Sequence, residues 1–291
     1  MKHRVSRLLP YALALAIAIA LAPVTAQEAE PKPEPKRGPL SVTYIGNEGF
    51  MIESGGVKVL VDALYRDGVP GYVVIPEERR RLLETAQPPF ADVTLILATH
   101  YHADHFDPGA VLEHLKASPK TVFLSTPQAV DLMRELPDFD TVRGRVRPEH
   151  PQEGERVRAE RPGLVLHVLN LHHGRERPVQ NLGFIIEMRG VKILHVGDTE
   201  ATVKDFQANL IREEEIDLVF LPYWYLTAGN EKAIEEAIAP GRIVATHLPP
   251  PSDPQGLLQT QGGFEKLAAG IEGRFPKAVV FRQEMETREL P

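Results

Sequence analysis

Apolar and polar positions change their spacing several times along this chain, and each change marks an element. Between residues 40 and 63 the short runs "SVTYI", "FMIES" and "VKVLVDA" are divided by "GNEG" and "SGG". β-rich runs bounded by glycine turns predict three strands, the second and third joined as a tight hairpin. "PEERRRLLETA" (76–86) has the look of a short helix. "DVTLILAT" (92–99) is almost continuously apolar, as a strand buried on both faces would be. Asp107-Pro108 sets an N-cap aspartate before a proline at the first helical position, predicting a helix to about Lys116. "TVFLS" predicts another strand, and Thr126-Pro127 repeats the helix start.

The second half runs through the same order. "LVLHVLNL" (164–171), "GFIIEM" (183–188) and "VKILHV" (191–196) predict strands, the last two joined by an "RG" turn. "IDLVFLP" and "RIVATHLP" predict two more buried strands with the helical "EKAIEEAIA" between them, and "AVVF" (278–281) closes the series. This order predicts an α/β fold of four layers, αββα, with two sheets face to face and helices outside both. A doubly wound dinucleotide fold would not open on three hairpin-type strands, and "GNEG" leads into a strand, whereas a phosphate loop leads into a helix.

The first 26 residues follow a different pattern. Lys2, Arg4 and Arg7 precede an apolar stretch from Tyr11 to Ala22, and Val24-Thr25-Ala26 offers small residues for cleavage. The stretch is short for a membrane span, so residues 1–26 read as a signal peptide and the mature chain is expected to begin at Gln27, periplasmic or secreted, with no stable membrane insertion. Residues 27–39, "QEAEPKPEPKRGP", read as an extended linker, and residues 40–291 as the folded domain. Losing Lys2, Arg4 and Arg7 takes the formal charge from −7 to −10, which offers no general footprint for nucleic acid. "RGRVR" (143–147) reads as a solvated basic segment. The chain has no cysteine, so there is no lipid anchor and no disulfide framework, and any metal site must use nitrogen and oxygen ligands.

Such ligands cluster. "LATHYHADHF" puts His100, His102, Asp104 and His105 directly after the buried strand at 92–99. His100 and His102 alternate along an extended segment and can point the same way, while Asp104 and His105 follow a turn, so one loop could serve two adjacent cations. Further donors appear where other buried strands end: His172 and His173 in "LNLHHG", Asp198 in "LHVGDTE", His247 in "VATHLP". Strand ends are the positions from which side chains converge on one edge of a sheet.

"HYHADH", a later histidine, "GDT" and a late histidine together resemble the metallo-β-lactamase fold superfamily in its dinuclear HxHxDH form. The resemblance extends over the mature chain from "YIGNEGFMIESGGVKVLVDA" onward, and the chain is similar to the branch with sugar-phosphate lactonases and N-acylphosphatidylethanolamine phospholipase D. It implies His100, His102 and His173 on one metal, Asp104, His105 and His247 on the other, and Asp198 bridging. His173 is preferred to His172 because it directly precedes the glycine. Asp62, closing "VKVLVD", matches an aspartate behind the metal loop and is expected to orient a ligand histidine. His195 reads as a core or supporting residue. Where similar hydrolases have a "GHAGF"-like opening, this chain has Asn47-Glu48, a departure expected to alter the pocket and leave metal binding alone.

The implied function is hydrolysis of an ester, lactone or phosphodiester in a small-molecule substrate. Two Zn2+ (Mn2+ or Fe2+ as alternatives) would share a hydroxide, Asp104 helping to orient it. The aromatic run Tyr223, Trp224 and Tyr225 is expected to wall the substrate pocket. The alternatives are an iron-dependent redox enzyme similar to persulfide dioxygenases, which keep a similar histidine motif, and a β-lactamase, although those usually lack the bridging aspartate.

Overall fold

A computed structural model describes residues 38–252, 256 and 258–290. The signal-peptide reading and nearly all of the 27–39 linker lie outside the described residues. In chain order the first half comprises β1 (Leu40–Gly46), β2 (Gly49–Ser54), β3 (Val57–Val61), α1 (Glu77–Glu84), β4 (Leu95–Leu97), α2 (Pro108–Ala117), β5 (Val122–Ser125), α3 (Pro127–Arg134) and β6 (Val146–Pro148). The second comprises β7 (Arg156–Arg161), β8 (Leu164–Asn170), β9 (Leu182–Met188), β10 (Val191–His195), α4 (Val203–Ala208), β11 (Leu218–Pro222), α5 (Glu231–Ala237), β12 (Arg242–Thr246), α6 (Phe264–Arg274), β13 (Ala278–Val280) and β14 (Thr287–Leu290).

These strands make two seven-stranded mixed sheets, ordered β14-β1-β2-β3-β4-β5-β6 and β13-β12-β11-β10-β9-β8-β7. Strict alternation decides which way each side chain faces. Phe50 and Ile52 of β2, Val59 and Val61 of β3, and Leu95 and Leu97 of β4 point between the sheets, where they meet Phe184, Ile193 and Phe220. Their neighbours Met51, Leu60 and Ile96 point outward into a layer with Leu83 of α1, Leu115 of α2 and Met133 of α3. On the far side Leu194, Val219 and Ile243 pack outward against Phe206, Ile234 and Ile271 of α4, α5 and α6. The four layers are therefore αββα. Phe50 meets Phe220 edge-on at 4.7 Å between ring centroids, a contact that ties the two sheets together.

Local chemistry sets several boundaries. Asp107 accepts from the Ala110 amide at 2.7 Å and Thr126 from Ala129 at 3.1 Å, so both predicted N-caps start helices. The strand expected over 92–99 is only three residues long, since the chain leaves the sheet after Leu97. The elements without a sequence signal are β6, β7, α4, α6 and β14. β7 is "RVRAER", a charged edge strand with little to bury. The basic "RGRVR" segment is not simply solvated: Arg145 donates to the carbonyls of Leu115, Ser118 and Thr121 at 2.6–3.1 Å, and Val146 begins β6. No helix among the described residues is long and apolar enough to cross a membrane.

The site follows from topology. β3, β4, β5 and β6 run parallel to one another, as do β10, β11, β12 and β13, so the residues leaving β3, β4, β10, β11 and β12 gather at one end of the sandwich. That end, outside the carboxyl termini of parallel strands, is where open sheets hold ligands.

Candidate metal centre

Three strand ends, those of β4, β10 and β12, and the loop after β8 deliver the donor atoms. His100, His102, His173 and Asp198 offer ligand atoms that all lie within 4.8 Å of one another, as do Asp104, His105 and His247. Asp198 stands between the groups. Its Oδ2 is 3.6 Å from His173 Nε2 and 3.2 Å from His247 Nε2, and its Oδ1 is 3.4 Å from His105 Nε2. Asp104 Oδ2 lies 3.4 Å from His247 Nε2 and 3.7 Å from His105 Nε2.

These residues suit metal ions on two counts. Donors about 2.0–2.2 Å from one tetrahedral cation sit about 3.4 Å apart, close to the spacings seen. In addition, His105 Nε2, both ring nitrogens of His173 and of His247, and Asp198 Oδ1 are buried with no hydrogen-bond partner. Buried polar atoms are almost always paired, so several orphaned atoms facing one another fit a bound cation. The residues fit a pair of metals. His172 does not join them; its Nε2 faces Asp205 Oδ2 at 3.4 Å.

Hydrogen bonds behind the ligands fix their tautomers. Asp62 is fully buried and holds a left-handed φ of 46° at the end of β3. Its Oδ1 accepts from the Thr99 amide at 2.7 Å, and its Oδ2 accepts from Thr99 Oγ1 at 2.7 Å and His105 Nδ1 at 2.9 Å. With its only hydrogen given to Asp62, Thr99 Oγ1 can only accept from His100 Nδ1, 3.0 Å away. Both His100 and His105 therefore carry a proton on Nδ1 and turn Nε2 toward the centre, where that of His100 lies 2.9 Å from His102 Nδ1. Asp62 thus supports one ligand of each group. Gly197, φ 59°, is demanded by this packing, because a Cβ there would lie 2.6 Å from both Asn181 Oδ1 and Thr99 Cβ.

Charge follows the same geometry in the metal-free protein. Burial opposes charging His247, but Asp198 and Asp104 outweigh it and push the imidazole up to about 9. His105 is likewise raised despite burial, by Asp198 and Asp62. His100, buried and next to His105, is held well below the usual imidazole range. Asp198 is depressed, burial being overcome by His105 and His247.

A cavity of about 460 Å³ opens over this centre, lined by His102, His173, Asp198 and His247 together with Tyr72, Trp224, Arg177 and Glu200. Of the three aromatics expected here only Trp224 lines it, its ring 5.1 Å from that of His247. Tyr225 turns away, donating to the Thr199 and Ala201 carbonyls at 3.2 and 2.8 Å, because the short helical turn after β11 points successive side chains in different directions. Tyr223 packs onto the outer helical layer. The second aromatic wall is Tyr72, edge-on to His247 at 4.1 Å, from a loop whose sequence carries no periodic signal.

The Asn47-Glu48 departure touches the candidate donors. Asn47 Nδ2 donates to Asp104 Oδ2 at 3.0 Å, and the His247 amide donates to Asn47 O at 3.4 Å. Because Asn47 and Glu48 form a two-residue turn between apolar strands, their sequence reads as surface, yet both are buried. His195 is buried too; its Nε2 donates to Glu48 O at 3.2 Å and its ring stacks on Phe220.

Residues 58–255 match the model for the beta-lactamase superfamily domain, about two thirds of the chain, and the protein belongs to that family. A UPF0173 metal-dependent hydrolase of Alkaliphilus metalliredigens is 27% identical over 196 residues, 63% of this chain and 72% of that protein. Another, from Thermococcus kodakarensis, is 26% identical over 234 residues, 77% of this chain and 92% of its own length. A solved structure described as a possible metal-dependent hydrolase, from Veillonella parvula, superposes with a TM-score of 0.57 at 19% identity, covering 86% of this chain and 99% of that one. That likeness is one of fold.

Proposed function

We propose that the protein is an exported, metal-dependent hydrolase that cleaves an ester, lactone or phosphodiester in a small-molecule substrate. The observation that carries this reading is the set of orphaned, buried nitrogen and oxygen atoms converging on Asp198. His100, His102 and His173 would hold one divalent cation, Asp104, His105 and His247 a second, with Asp198 shared, zinc being the metal proposed. Such a pair supplies a nucleophilic water at neutral pH and stabilises charge on the attacked oxygen. The chain's own groups do the rest. Asp62 and Thr99 hold two imidazoles in their receptive tautomers, and Asp104, fixed by Asn47, keeps its carboxylate against His247. Trp224 and Tyr72 form apolar walls that receive the non-reacting part of a substrate and exclude water around His247.

The relatives' description as metal-dependent hydrolases supports the reaction class. The direct test is elemental analysis of the purified protein with a screen of phosphodiester, lactone and β-lactam chromogens, with and without chelator. About two zinc equivalents and chelator-sensitive hydrolysis are expected. Iron with oxygen consumption would replace this reading with the redox one. For export, N-terminal sequencing of the secreted or periplasmic form should begin at Gln27; finding Met1 there would remove that part.

A further inference from the structure

Glu48 has no part in the arrangement above, yet its position demands one. It lies in the turn between β1 and β2, fully buried, with Oε1 accepting from Thr246 Oγ1 at 2.6 Å and Oε2 without a partner. Asp198 and Asp62 are close enough to repel it. A carboxyl so placed, taken out of water beside two others and near the imidazoles of His105 and His247, either keeps its proton or faces a cation. Two sets of neighbours could share one with it: Asp62 with His195, and His105 with Asp198.

Hydrogen bonding decides between them. Both Asp62 oxygens are occupied by Thr99 and His105, and both nitrogens of His195 are engaged, Nε2 donating to Glu48 O and Nδ1 accepting from the Gly197 amide. On the other side, His105 Nε2 and Asp198 Oδ1 are as bare as Glu48 Oε2. The three residues offer ligand atoms within 4.8 Å of one another.

We propose that Glu48 supplies a further carboxylate oxygen to the cation held by His105 and Asp198, an inference that rests on the metal-hydrolase reading. The two metal positions then differ in kind. One is ringed by three imidazoles and Asp198, the other by Asp104, Asp198 and Glu48 with two imidazoles. Oxygen-rich surroundings favour a harder cation, so the second position takes Mn2+ more readily than the first.

The test uses the metal-stripped full chain, wild type and E48Q, titrated with Zn2+ and separately with Mn2+ against a competing chelator. Thermal melts are recorded with and without metal. Glutamine keeps the shape and, through its amide oxygen, the bond from Thr246. Metal-free E48Q should therefore melt no lower than metal-free wild type. It should bind one equivalent as wild type does and the second about 10–100-fold more weakly, with a smaller metal-induced rise in melting temperature. Two equivalents bound at wild-type affinity would overturn the proposal. So would a metal-free E48Q that melts well below wild type with metal affinity intact, since Glu48 would then be a structural residue. A wild-type protein that takes up no metal would instead bring down the hydrolase reading, and this inference with it.

Discussion

Asp62→Asn should damage both proposed metal positions from a single atom exchange. The asparagine carbonyl can keep the bond from the Thr99 amide, but its NH2 then replaces Oδ2, which now accepts from Thr99 Oγ1 and His105 Nδ1. A donor would face two donors. For Thr99 the escape is to accept from the new NH2 and donate its hydrogen to His100 Nδ1. That moves the His100 proton to Nε2 and closes the nitrogen facing the centre. His105 loses its acceptor outright. Removal of one such support costs about 10–100-fold in metal affinity, which is about 1.4–2.8 kcal/mol per position. The assay is stepwise metal affinity by chelator competition, with kcat/KM measured at saturating metal. Thr99→Val is the control: it breaks the relay to His100 and spares the Asp62–His105 bond, so only the position with His100, His102 and His173 should weaken. Asp62→Asn with both affinities unchanged, or Thr99→Val weakening both positions equally, would refute the relay.

Proton competition should govern loading. Because Asp198 holds protons on His247, up to about 9, and on His105 in the metal-free protein, apparent metal affinity should climb at least about tenfold per pH unit between about 7 and 9. The sign for folding is opposite: a raised imidazole stabilises the metal-free protein below its unfolded value of about 6.5, and that contribution is lost as pH rises through about 9. Metal-free melting temperature should fall over the window in which metal affinity rises; a pH-independent affinity would contradict this. Trp224→Ala should raise KM for apolar substrates with metal content unchanged, since its ring lines the cavity. Tyr225→Phe should leave kinetics alone and lower stability by about 1 kcal/mol, read by denaturant unfolding, through loss of its bonds to the Thr199 and Ala201 carbonyls.

The helix starts at Asp107-Pro108 and Thr126-Pro127, and the alternation of β2 and β3, are local matters: one capping oxygen, or one buried face, is enough to define them. The histidine cluster was equally legible, because imidazoles are rarely concentrated at the end of a buried strand without a cation to share. Charged edges were not. β7 and β6 are strands only because β8 and β5 offer them hydrogen bonds, which no pattern within "RVRAER" or "VRP" announces.

Periodicity thus determined which face of each element is buried, and the motif determined that donors gather at the carboxyl end of β4. What those faces meet was left to the tertiary structure. Glu48 and Asn47 read as turn residues and became neighbours of Asp198 and Asp104 only when β1 and β2 packed beside the ends of β10 and β12. Tyr72 and Tyr225 differ in the same way: one ring faces His247 and the other leaves it, a choice made by backbone direction within irregular segments. A sequence fixes spacing along the chain. Burial of charge, the property that gives these side chains their chemistry, depends on distances between elements far apart in it.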